Sequence, residues 1–182
     1  MIKLLKQAFW TSLITNISSL ISLIGIAIIA RFITPETFGI YIFCLASREI
    51  ITTICAPSLS QTYLFSDGTK SDFKNVCKIN LIFSFMILIA SIIGGTLIAN
   101  KYGEFYFNII IIFALLSIIN NYSSIFLSIG EKKMDFKNTQ FFRSLALIIS
   151  LIITCATAFK LGNDINVLIL KEVSFSFFLL LF

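Results

Sequence analysis

The chain has 182 residues, 58% of them hydrophobic, and a formal net charge of +5. A soluble domain is usually about 45–50% apolar, whereas runs of about twenty apolar residues indicate membrane helices. The composition therefore excludes an ordinary soluble protein. The basic residues lie between apolar runs rather than in a dense patch, which argues against a nucleic-acid partner and indicates charges that set membrane topology.

Six apolar runs predict an all-α fold, a polytopic transmembrane bundle of about six spans. The spans are expected at residues 8–30, 35–65, 76–99, 105–129, 141–159 and 165–182. The last run ends on Leu-Leu-Leu-Phe without the polar anchor that membrane helices usually carry. We therefore expect the sequence to be truncated at its C-terminus.

The polar break between the first two runs, Arg31 to Gly39, is expected to end one helix and start the next. Thr34 is a helix N-cap residue, and Pro35 suits the first helical turn, where its missing N–H costs nothing. Glu36 then lies where a helix N-terminus favours negative charge. Arg31 and Pro35 are accordingly interpreted as structural residues of a helical hairpin.

Two further residues of the second run are interpreted as structural. Gly39 is expected to allow close packing near the start of this helix, and Pro57 is expected to kink it. Later in the chain, Ser91, Gly95 and Ala99 form a small-residue seam at four-residue spacing, which predicts tight helix contact. The short loop that follows predicts antiparallel neighbours.

Polar stripes follow the first and the fourth helix. Both carry hydroxyl and amide side chains at helical spacing, and the opposite face of the first is lined with Leu and Ile. Such a stripe either lines a wet cavity or lets helices pack closely, and both interpretations stay open. The candidate substrate-binding residues among them are Thr15, Asn16, Ser22, Asn120, Asn121 and Ser124.

Two adjacent charge pairs lie inside apolar runs: Arg48 with Glu49, and Lys171 with Glu172. A charge at the centre of a membrane helix costs about 2.5–3.5 kcal/mol on insertion scales. Neighbouring side chains point about 100° apart, so we expect Arg48 and Glu49 not to bind one another well. All four charged residues are candidates for the same two roles. They are interpreted either as substrate-binding residues of a polar cavity or as interhelical ion pairs.

No catalytic chemistry is expected. The chain has no histidine, and its four cysteines form no CxxC motif, so a zinc site or a Cys–His nucleophile is not expected. The acidic residues are scattered, which argues against a membrane enzyme acting on lipids. The protein is therefore interpreted as a non-enzyme without a cofactor.

The basic residues are distributed unequally between the two sides of the predicted bundle. Nine of the 14 lysines and arginines fall on the side of the N-terminus and three on the other. The nine are Lys3, Lys6, Lys70, Lys74, Lys78, Lys132, Lys133, Lys137 and Arg143. The positive-inside rule then places the N-terminus in the cytoplasm.

Two segments carry a family resemblance. Arg31-Phe32-Ile33-Thr34-Pro35-Glu36-Thr37-Phe38-Gly39 and Lys133-Met134-Asp135-Phe136 resemble segments of O-antigen (Wzx-type) flippases and related polysaccharide biosynthesis proteins, of the multidrug/oligosaccharidyl-lipid/polysaccharide exporter superfamily. The resemblance implies that this chain is one lobe, the N-terminal half, of a two-lobe transporter in the bacterial inner membrane. It also implies alternating access, with undecaprenyl-pyrophosphate-linked oligosaccharide carried to the outer leaflet.

The partners implied are the lipid-linked oligosaccharide, membrane lipids, and the second lobe or other polysaccharide-assembly proteins. A coupling ion, sodium or proton, stays open. Arg48 is the residue we expect to bind the pyrophosphate, because a guanidinium offers forked donors to such an anion. Two alternatives remain: a multidrug or small-solute exporter of the same superfamily, and a non-transporting assembly subunit whose polar stripes serve only packing.

Overall fold

The computed structural model describes residues 2–55, 59–66, 69–133, 136–162 and 164–181, and for 2–6, 8, 70 and 161 the backbone alone. Within these ranges the chain forms seven α-helices and no strand, which confirms the all-α prediction. The helices are α1 (Ile2–Ile29), α2 (Pro35–Cys55), α3 (Leu59–Phe65), α4 (Lys70–Tyr102), α5 (Glu104–Lys132), α6 (Phe136–Leu161) and α7 (Ile165–Leu181). Pro57 lies outside the described residues, and with it the predicted kink.

Five helices are long and apolar enough to cross a bilayer, so the chain is a multi-pass membrane protein. The candidate spans are Phe9–Ile29, Pro35–Cys55, Ser71–Tyr102, Glu104–Lys132 and Phe136–Lys160. The predicted sixth span corresponds to α7, whose 17 residues lie at the short end of the range for a membrane crossing.

The helices form two compact units. The first unit comprises Met1–Gly39 and Gly130–Phe182, and the second comprises Ile40–Ile129. In the first unit, α6 packs against both α1 and α7. Ser18 contacts Ser144, and Gly25 lies against Leu151, so α1 and α6 run parallel at a constant register. Successive spans cross a membrane in opposite directions, so the first and fifth spans, α1 and α6, are expected to run in the same direction.

The turn between α1 and α2 has the predicted cap. The backbone N–H of Thr37 donates to the hydroxyl oxygen of Thr34 at 3.5 Å, α2 begins at Pro35, and Glu36 lies in its first turn. The hydroxyl therefore takes up one of the N–H groups that the first turn leaves without a helical partner. The predicted start of the second helix is confirmed.

Three further residues of this break lie on either side of the cap: Arg31 and Phe32 before it and Gly39 after it. Arg31 is exposed in the turn, and next to it the ring of Phe32 packs on Phe159 with centroids 4.6 Å apart. Gly39 is exposed, and among the described residues no atom lies within 4 Å of the position a Cβ would take. The close packing predicted at Gly39 stays a prediction.

In the second unit, α4 and α5 are antiparallel and tightly packed, as the small-residue seam predicts. A Cβ on Gly95 would lie 2.9 Å from the Phe107 ring, closer than side-chain carbons approach one another. The single residue between the two helices, Gly103, has a φ of 108°, and its N–H donates to the Ala99 carbonyl at 2.8 Å. Glycine is suited to this connection because other residues avoid positive φ.

Three helices begin five or more residues earlier than predicted, and the first of them is α1, which starts at Ile2 rather than 8. Helix α4 starts at Lys70 rather than 76, because Thr69 and Asp72 form a reciprocal capping box. The pattern is easily missed, since the usual partner at the third helical position is Glu or Gln rather than Asp. Helix α6 starts at Phe136 rather than 141, which places Arg143 two turns inside the helix.

Candidate functional site

A groove runs along the seam between α1 and α6, within the first unit; most of its wall is apolar, and several polar side chains lie along it. Its volume is about 440 Å³. The residues that line it are Thr15, Ser18, Ser19, Ser22, Leu23 and Ile26 of α1 and Gln140, Arg143, Ser144 and Leu147 of α6. The stripe predicted on the first helix therefore faces a groove over about three turns.

Two close contacts hold the seam together. The hydroxyl oxygens of Ser18 and Ser144 lie 2.6 Å apart. Two turns further on, a Cβ on Gly25 would lie 2.8 Å from one Leu151 methyl and 3.0 Å from the other. Small residues allow this close approach of two helices. The stripe thus packs closely at Ser18 and Gly25 and lines open space at Thr15. Substrate binding by the stripe stays a prediction.

Three of the groove hydroxyls, those of Thr15, Ser19 and Ser144, offer acceptors rather than donors. Thr15 donates its proton to the Thr11 carbonyl at 2.9 Å, Ser19 to the Thr15 carbonyl at 3.0 Å, and Ser144 to the Gln140 carbonyl at 2.8 Å. Each oxygen then keeps lone pairs that the helix does not use. This wall suits a ligand rich in O–H donors.

Arg143 is the cation among the lining residues. Its side chain is half-buried, and no carboxylate of the described ranges pairs with it. A guanidinium presents N–H donors in a planar fork, the geometry that carboxylate and phosphate oxygens accept bidentately. Gln140 precedes it by three residues, on the same side of the helix. This end of the groove can hold an anion.

The cation and the amide of the groove lie at one of its ends, and two large apolar residues lie at the other. Thr15, Gln140 and Arg143 lie toward the N-terminal ends of the two parallel helices, whereas Leu23 and Ile26 lie further along α1. Eleven residues separate Thr15 from Ile26, about 16 Å along a helix. An amphiphile with an anionic head and an apolar chain matches this gradient.

The structure brings only part of the predicted site into this groove. Thr15 and Ser22 line it, whereas Asn16 is exposed beside it and is not among its lining residues. Arg143 was missed because the predicted helix start at residue 141 made it a flanking topology charge. The signal that identifies it is its spacing after Gln140, once α6 is known to begin at Phe136.

The candidates on α5 belong to the second unit. Asn120, Asn121 and Ser124 are half-buried, and Ser124 donates to the Asn121 carbonyl at 2.8 Å. The amide oxygen of Asn120 is buried and has no hydrogen-bond partner in the described part of the chain. On the same helix, Ser117 and Ser128 are buried. Much of this stripe is therefore packed within protein.

The expectation that Arg48 and Glu49 do not bind one another well is wrong. The Arg48 guanidinium donates to the Glu49 carboxylate at 2.5 Å from Nη2 and 3.2 Å from Nε. Lys171 and Glu172 approach to 3.4 Å. Long, flexible side chains reach across the 100° that separates neighbouring positions on a helix. Glu49 thus offsets the charge of Arg48, while within the described ranges no carboxylate does so for Arg143.

No curated protein and no solved structure matches the chain. A family profile described as "Polysaccharide biosynthesis protein" matches residues 28–182, which include all of α6 and begin after the groove-lining residues of α1. Because this match covers most of the sequence, the chain belongs to the polysaccharide biosynthesis protein family.

Proposed function

We propose that this protein moves a lipid-linked oligosaccharide across the bacterial inner membrane, from the cytoplasmic to the outer leaflet. Membership of the polysaccharide biosynthesis family and the five membrane-spanning candidates support a membrane step in glycan assembly. The observation that carries the proposal is the groove between α1 and α6, which combines a cation, hydroxyl acceptors and an apolar end.

The groove matches the three parts of such a substrate. Arg143 binds the pyrophosphate, the oxygens of Thr15 and Ser19 accept hydrogen bonds from sugar hydroxyls, and the apolar chain lies toward Ile26. Polar groups that cross hydrocarbon without partners cost several kcal/mol each. Replacing water with fixed protein partners lowers that barrier. Rocking of helix bundles then exposes the groove to either side in turn.

The distribution of basic residues supports transport from the cytoplasmic to the outer leaflet. With the N-terminus in the cytoplasm, α1 and α6 both begin on the cytoplasmic side, so the Arg143 end of the groove lies nearer that leaflet. The head group of a lipid-linked substrate made in the cytoplasm is taken up there.

Deletion of the gene tests the proposal. We expect the lipid-linked oligosaccharide to accumulate in the cytoplasmic leaflet and the surface glycan to disappear, and the reintroduced full chain should reverse both effects. The readout is extraction of the lipid-linked intermediate from each leaflet together with labelling of surface glycan.

Two other outcomes would contradict it. Increased sensitivity to toxic small molecules with unchanged surface glycan would indicate a multidrug exporter. Intermediate that reaches the outer leaflet normally but is not assembled further would indicate a non-transporting assembly subunit.

A further inference from the structure

We propose that Trp10 and Lys137 form a binding site for the phosphate head group of an anionic phospholipid, separate from the substrate groove. The Lys137 ammonium lies 5.4 Å from the centroid of the Trp10 ring. This pair joins the first turns of the spanning parts of α1 and α6. It goes beyond the proposed transport function, because it concerns the membrane that surrounds the protein.

The pair lies at the edge of the apolar part of both helices. The membrane-spanning part of α1 begins at Phe9 and that of α6 at Phe136, so Trp10 and Lys137 are each the second residue of their span. Tryptophan and lysine are the residues that hold helices at the level of lipid head groups, since each joins an apolar body to a polar tip.

Aromatic side chains around the pair are exposed. Phe9 is 64% exposed and contacts the Trp10 ring edge-to-face at 6.5 Å, and Trp10 itself is 40% exposed. On α6, Phe141 and Phe142 are also exposed and contact one another. Because α1 and α6 are parallel and in register, these rings share one end of the helix pair. They cover a lipid chain from the side while its head group remains at the surface.

The charge around the pair favours an anionic rather than a zwitterionic head group. Lys133 and Lys137 are both exposed. A cation over a ring face keeps N–H donors that point away from the ring, and these donate to phosphate oxygens. Each lysine near an anionic surface contributes about 1 kcal/mol of attraction, an amount that a neutral surface does not supply.

The chain contains one tryptophan, so tryptophan fluorescence, excited at a wavelength that its tyrosines do not absorb, reports on this site. The full chain is reconstituted in phosphatidylcholine vesicles that contain phosphatidylglycerol, with quenching bromine atoms on the acyl chains of one lipid or the other. We expect brominated phosphatidylglycerol to quench Trp10 more strongly than its share of the bilayer predicts. Lys137→Gln should reduce that preference about fivefold, and Lys137→Arg should keep it.

The matched control is Lys101→Gln, since the Lys101 ammonium also lies 5.4 Å from an aromatic ring, that of Tyr102. It should leave Trp10 quenching unchanged, and soluble glycerol phosphate should not compete with the lipid. Equal quenching by the two brominated lipids, or a preference that survives Lys137→Gln, would overturn the proposal and leave Trp10 as a member of an unselective aromatic belt. None of these results depends on whether the groove carries a glycan.

Discussion

Replacing Arg143 with alanine should reduce transport of the lipid-linked oligosaccharide by about 10–150-fold, because a hydrogen bond to a charged group contributes about 1.5–3 kcal/mol and each 1.4 kcal/mol is a factor of ten. The alanine removes the cation from the polar end of the groove and leaves the hydroxyl wall intact. Arg143→Lys should retain part of the activity, since an ammonium keeps the charge but not the forked geometry. Surface glycan measured at matched protein levels gives the comparison.

Arg48→Ala tests the alternative that Arg48, rather than Arg143, binds the anion. In the structure the Arg48 guanidinium already binds Glu49, so its loss should reduce transport less than the loss of Arg143. Arg31→Ala, in the exposed turn before α2, controls for general effects of removing an arginine. If Arg48→Ala abolishes transport while Arg143→Ala does not, the anion is bound in the second unit and the assignment to the groove is wrong.

Gly25→Ala should destabilise the protein, although alanine is a better helix former than glycine. The new Cβ would lie 2.8 and 3.0 Å from the two methyl groups of Leu151, so α1 and α6 must separate or Leu151 must leave its position. Overpacking of this kind costs about 1–3 kcal/mol. A lower Tm in detergent and weaker glycan export are expected together, since the same seam bounds the groove.

Gly94→Ala is the matched control for this substitution. Among the residues that the structure describes, a Cβ there would meet the Ile51 methyl at 3.8 Å, an ordinary contact, so stability should be unchanged or slightly higher. In a double-mutant cycle, Leu151→Ala should cost less in the Gly25→Ala background than alone, because the added methyl occupies part of the space that Leu151 vacates. Strict additivity of the two substitutions would show that the seam is not closely packed.

Local signals in the sequence predicted much of the fold. Thr34 and Pro35 define a helix start by local chemistry, through a capping hydroxyl and a ring that suits the first turn, and the structure has α2 begin there. The seam at Gly95 follows from small residues at four-residue spacing, and the structure packs α5 against it. Both features depend on residues close together in the chain, which is why they can be read without knowing the tertiary arrangement.

The groove depends on information that is not local. The hydroxyl stripe of α1 predicts a polar face but not its partner, and Ser18 meets Ser144 across 126 positions. Arg143 joins the site because α6 starts five residues earlier than its apolar run. The reach of the Arg48 side chain to Glu49 likewise depends on rotamers rather than on helical spacing.

Photo-crosslinking from Ser22 tests the central claim most directly. A photoreactive phenylalanine analogue at Ser22 lies in the groove, whereas the same group at Ile24 lies about 200° around the helix, on an exposed apolar face. In cells that make the glycan, irradiation should join the lipid-linked oligosaccharide to the Ser22 variant and not to the Ile24 variant, and Arg143→Ala should weaken the crosslink. Equal crosslinking from both positions, or crosslinking from Ile24 alone, would show that the substrate does not enter the groove.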